Sequence, residues 1–145
     1  QPPPMNIHDA FANIHSTLET ALSTAHKAMP MMSQRHQQVG PWLNKYMEHA
    51  AMHGHFFSAA HQDNNYDEAS HHLENVQDAM KAMHQVVHYQ TGANSALTQA
   101  FNTTMPKFHA AADDYREAAG TNAPGLGQHF EEIMKNSKLN PQQFS

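Results

Sequence analysis

The chain contains no cysteine, which removes disulfides, thiolate metal clusters and covalent c-type haem attachment through a Cys-x-x-Cys-His motif. Fixed charge is also scarce: Asp, Glu, Lys and Arg make up 14% of residues, and only 8 are Lys or Arg. No basic run occurs among them, so the electrostatic footprint of nucleic-acid binding is missing at neutral pH. No apolar run approaches the roughly 18 residues of a membrane span, and no basic-then-apolar leader pattern opens the sequence. Neither a nucleic-acid partner nor a membrane span is expected. Paired acids on an obvious shared face, a nucleophile motif and a Gly-rich phosphate loop are lacking too, so binding rather than catalysis is expected.

Histidine takes the place of the missing charge. There are 14 histidines against a formal net charge of -5 with histidine neutral, so protonating half of them near their ordinary pKa of about 6.5 reverses the sign. Methionine is abundant as well, with 10 residues. At 145 residues and 39% hydrophobic, the chain is long enough to bury a core, and one domain over 1–145 is the default expectation.

Apolar residues recur at the helical period in four stretches. Residues 1–5, opening Gln1-Pro2-Pro3-Pro4, read as an extended leader, because proline removes donors and favours polyproline II. An opening without initiator Met reads as a processed mature terminus, and with it a periplasmic or secreted location. Asn6 caps a first helix carrying Phe11, Ile14, Leu18, Ala21, Leu22, Ala25 and Met29, which Pro30 ends. After an ambiguous connector over 31–40, Gly40-Pro41 starts a second helix over about 42–62, with Leu43, Tyr46, Met47, Ala50, Gly54 and Phe57 on one side.

A third helix over about 66–90 has Ala69, Leu73, Val76, Met80, Met83 and Val87 as its stripe, and Thr91-Gly92 ends it. Asn94 or Ser95 caps a fourth with Leu97, Phe101, Phe108, Ala111, Ala112 and Tyr115, which Pro106 should kink or split before Gly120 closes it. The expectation is an all-α, up-down-up-down four-helix bundle over 6–120. A short helix within 125–137, bearing Phe130, Ile133 and Met134, should dock on it.

Metal-ligand chemistry concentrates in two runs. In the third helix, Met80, Met83, His84 and His88 put two imidazoles at i,i+4 beside two thioethers; in the second, His49, Met52 and His53 repeat the pattern. Side chains four apart share a helix face about 5–6 Å apart at Cβ, so each histidine pair can chelate one ion. The competing reading makes Met29, Met47, Met80 and Met83 flexible core filler, whereas Met52 faces away from its helix's core and Met31 and Met32 lie in the connector. Thioethers favour Cu(I), so copper is the expected metal, with zinc or nickel needing only the histidines. The role that follows is sequestration or delivery, with the ion as partner and a homo-oligomer compatible with it.

At about 100° per residue, most histidines fall at the edges of the apolar stripes, where neighbouring helices meet. His8, His15 and His26 align on the first helix, His109 flanks the fourth, and His61 points near its stripe's centre.

Two other cofactors fit a bundle. His15-x-x-x-Glu19, His84-x-x-x-His88 and His109-x-x-x-x-Asp114 occur in that order, an arrangement that resembles the non-haem di-iron ligands of the hemerythrins. The resemblance implies a di-iron centre, although that family draws its His-x-x-x-Glu from the second helix, which offers none here. Haem b between Met5 or His8 and His109 is the other alternative. A further reading without metal is a pH-responsive structural module, loosened as histidines charge below about pH 6.

Overall fold

Asn6 begins the first helix as its sequence position suggests: its side chain accepts a 2.7 Å hydrogen bond from the His8 backbone N–H, satisfying one of the donors a helix start leaves open. The computed structural model describes residues 6–29 and 40–120. Within them run α1 (Ile7–Ala28), α2 (Gly40–Gln62), α3 (Tyr66–Thr91) and α4 (Ala96–Ala119), with no strand among the described residues. The leader over 1–5, the connector over 30–39 with Met31 and Met32, and the docking helix expected within 125–137 lie outside them.

The turns are short and chemically specified. Between α2 and α3, Asn64 takes φ 58, a left-handed conformation that asparagine tolerates better than most residues, and Asn65 caps α3 by accepting from Glu68 N–H. Between α3 and α4, Gly92 at φ 90 makes the reversal, while the Ser95 hydroxyl accepts from Thr98 N–H at 3.0 Å. Gly120 closes α4 in the left-handed region, as glycine does at many helix ends. Turns this short force antiparallel neighbours.

The up-down-up-down order is closed by side chains. His8 at the start of α1 meets His61 at the end of α2, and His61 meets Tyr115 near the end of α4. Each helix therefore runs against its neighbours in the order expected of a bundle. Ile14, Leu43, Tyr46, Leu73, Val76, Met80, Met83, Phe101, Phe108 and Tyr115 fill the centre. The broadest contacts join α2 to α3 and α1 to α4, while α1 and α2 touch only sparingly.

Pro106 neither splits nor ends α4, which runs through it unbroken. Proline forfeits one backbone hydrogen bond, but Met105 and Phe108 on either side of it are buried, so tertiary packing holds the helix across the defect.

Where α1 and α2 do touch, Gly54 allows the close approach. A Cβ there would stand 2.7 Å from Leu18 Cδ2, and Leu18 is itself a core residue. Gly54→Ala sets a helix-propensity gain of about 1 kcal/mol against an overpacking cost of about 1–3 kcal/mol, so a net loss is expected. A raised urea midpoint would show instead that Leu18 moves aside freely.

Candidate metal centre

Met80 and Met83 are both 0% exposed, so the stripe that carries them is given to the core. They are not turned to the surface with His84 and His88. His84 leans toward α4, where its Nε2–H donates to Asn102 Oδ1 at 2.9 Å and its ring stacks on Phe101. Burial pushes the His84 pKa below its ordinary value, with the Asn102 hydrogen bond opposing and nearby His88 adding to the depression. His88 is exposed. The pair therefore divides between a helix seam and water, with one ring nitrogen of His84 already engaged.

The second run is placed differently. His49 and His53 are buried, at 9% and 8% exposure. The two rings lie 4.4 Å apart between centroids. Met52 is 46% exposed, on the solvent side of the same helix.

Across the seam stands His72 of α3, which the sequence did not single out. Its Nδ1 is 2.9 Å from His53 Nδ1, so a proton on one nitrogen is shared with the lone pair of the other. Glu68, one turn earlier, places Oε1 3.6 Å from His72 Nε2. That is long for a hydrogen bond, yet the carboxylate's field favours the proton on Nε2 and so turns the Nδ1 lone pair toward His53. Phe56 packs against both rings. An open groove lined by Phe56, Ala59, Ala60, Asp63, Glu68 and His72 gives His72 access to solvent, while His53 stays buried behind it. The signal in the sequence was Glu68-x-x-x-His72, a local pair whose meaning depends on what lies opposite.

A second histidine contact lies at the end of the bundle. His61 is 6% exposed, stacked at 4.3 Å on Phe11, with Nδ1 2.9 Å from Tyr115 Oη and Nε2 3.3 Å from His8 Nδ1. Burial lowers its pKa, and His8 lowers it further. Burial, followed by Tyr66, raises that of Tyr115. The position of His61 at its stripe's centre was legible; its partners were not.

The remaining pairs sit apart from these. His15 binds Glu19 at 3.0 Å on the surface. His109 Nδ1 accepts from Gln77 Nε2 at 2.9 Å, and Gln77 Oε1 in turn accepts from Arg116. Burial lowers the His109 pKa, with Lys81 and Arg116 adding to the effect and Asp113 opposing it. The His–Glu, His–His and His–Asp runs thus engage three different sets of partners. His8, the haem alternative's ligand, packs on His61, while Met5 lies outside the described residues.

Among the described residues no three His, Asp or Glu side chains are grouped to hold a metal ion together, and no helix is long and apolar enough to cross a membrane. What the geometry offers is pairs of imidazoles between helices. The chain matches no protein-family model, no curated protein and no solved structure.

Proposed function

We propose that this bundle binds a soft or borderline transition-metal ion, copper foremost, at the seam between α2 and α3, and holds it for sequestration or delivery outside the cytoplasm. The observation that carries the reading is the His53–His72 contact, with Nδ1 to Nδ1 at 2.9 Å. Two imidazole nitrogens bound tetrahedrally to one ion at about 2.0–2.1 Å stand about 3.4 Å apart. Rotations of the two rings that open the gap by about half an ångström therefore suffice. Glu68 supports the His72 ring from behind, the usual outer-shell arrangement for a ligating histidine. His49 lies beside His53 on α2 but completes no three-ligand group with the pair, and the abundance of methionine in the chain is what favours copper over zinc or nickel. The His84/His88 pair contributes less, because His84 Nε2 is engaged by Asn102.

Equilibrium dialysis against Cu(I), Cu(II) and Zn(II), with the helical content followed by circular dichroism, tests the reading. H53Q/H72Q should remain helical and bind the ion more than about 100-fold more weakly, beyond what loss of an outer-shell partner costs. H84Q/H88Q should change affinity much less. Uptake unaltered by H53Q/H72Q, or no uptake at micromolar free metal, would sink it.

The depressed pKa values of His61, His84 and His109 favour a second reading, a module that loosens on acidification. Metal content separates the two.

A further inference from the structure

We infer that His8 and His61 form a second site, for a borderline divalent ion such as Zn(II), Cu(II) or Ni(II), clamping the start of α1 to the end of α2, with Tyr115 as the positioning residue for His61. His53 and His72 take no part in it, so it stands or falls apart from the seam site.

The spacing is the first argument. His8 Nδ1 and His61 Nε2 are 3.3 Å apart, close to the roughly 3.4 Å that two imidazole nitrogens keep on one tetrahedral ion. The pair can accept the ion with almost no movement, unlike the tighter pair across α2 and α3.

Ring orientation is the second. Phe11 lies nearly parallel to the His61 ring, at 8° and 4.3 Å, and the His8 ring meets it edge-on at 82°, so the plane of His61 is held. Its far nitrogen, Nδ1, is 2.9 Å from Tyr115 Oη. With the ion on Nε2, the imidazole proton sits on Nδ1 and is donated to the phenol oxygen, which selects the ligating tautomer as carboxylates and carbonyls do in other metal sites.

Access is the third. His8 is exposed while His61 is buried, so one ligand is prearranged in the bundle and the other faces water. Solvent can fill the remaining coordination positions. The donors are imidazole alone, which suits divalent zinc, copper and nickel better than Cu(I).

The site also lies across a sparsely packed seam. α1 and α2 make few contacts with each other, and the connection between them is the longest of the three. An ion bridging His8 and His61 adds a link across that seam, so occupancy stabilises the folded state.

Calorimetric titration of Zn(II) into the full chain near pH 7.5, with thermal unfolding and Cu(II) electron paramagnetic resonance in parallel, tests this. H8Q alters an exposed side chain and should fold. It should lose one equivalent of zinc, the accompanying rise in Tm, and the two-imidazole copper signal that remains in H53Q/H72Q. Y115F should keep the site about tenfold weaker. The ring-nitrogen NMR shifts of metal-free His61 should report the Nδ1–H tautomer in the wild type and move toward the Nε2–H tautomer in Y115F, a readout that a merely structural role for Tyr115 would not move.

Unchanged stoichiometry and Tm rise in H8Q overturn the inference. A single ion lost in H53Q/H72Q but kept in H8Q also overturns it and leaves the seam site standing. A single ion lost in H8Q but kept in H53Q/H72Q supports it and removes the seam site. No uptake at all overturns both.

Discussion

Alanine in place of Phe108 should lower the free energy of unfolding by about 3–5 kcal/mol. Phe108 is 0% exposed and belongs to the central cluster, so its removal forfeits the transfer of a whole aromatic ring and leaves a cavity that packed helices refill only in part. Against a total of about 5–15 kcal/mol for a domain of this kind, that is roughly a fifth of the stability or more. Phe108 also lies two residues after Pro106, where α4 lacks a backbone hydrogen bond and depends on packing to stay continuous. Urea unfolding followed by circular dichroism measures the effect. Exposed Lys107→Ala in the same turn is the control, expected within about 0.5 kcal/mol of wild type. A Phe108→Ala loss below about 1 kcal/mol would mean that α4 is not held by this ring.

Acidification from pH 7.5 to 5 should produce the other large effect, a loss of stability. His61, His84 and His109 each have a folded-state pKa below the ordinary imidazole value, burial being the first cause in every case. The unfolded chain thus takes up these protons at a higher pH than the folded one. The stabilisation is fully present above the unfolded value of about 6.5 and is lost as pH falls from there toward the folded values. Each group in that window contributes a slope of at most about 1.4 kcal/mol per pH unit.

The geometry explains why the protons are resisted. A proton added to His109 Nδ1 would meet the Gln77 amide donor, with Lys81 and Arg116 close by and only Asp113 in favour. A proton added to His61 would sit between His8 and the phenol of Tyr115. The urea midpoint measured between pH 5 and 8 should fall on the acid side, and H109Q should flatten the fall. A midpoint that rises on acidification would show that the carboxylates, not these histidines, govern the pH response.

Helix positions were readable because their causes are local. Asn6, Asn65 and Ser95 cap whatever helix follows them, Gly92 and Gly120 end the helices before them, and the 3.6-residue stripe needs no knowledge of its partner. The starts of α1 and α3 fall on the residues that spacing indicated. At Pro106 the split that the local rule allows does not occur, and α4 continues with Met105 and Phe108 buried on either side.

The histidines show the limit of such reasoning. Spacing along one helix identified His49 and His53 as a pair on a single face, and their rings do lie together. It gave equal standing to His84 and His88, which the bundle separates between α4 and water, and it passed over His72, the residue that meets His53. Which imidazoles face each other between helices depends on the rotation and axial offset of each helix against its neighbour. A one-residue change in rotation turns a side chain by about 100° and would carry His53 away from His72. Helix content and helix ends were therefore determined by the sequence through short-range chemistry. The pairing of His53 with His72, and of His61 with His8 and Tyr115, was decided only when four apolar stripes packed into one core and set those rotations.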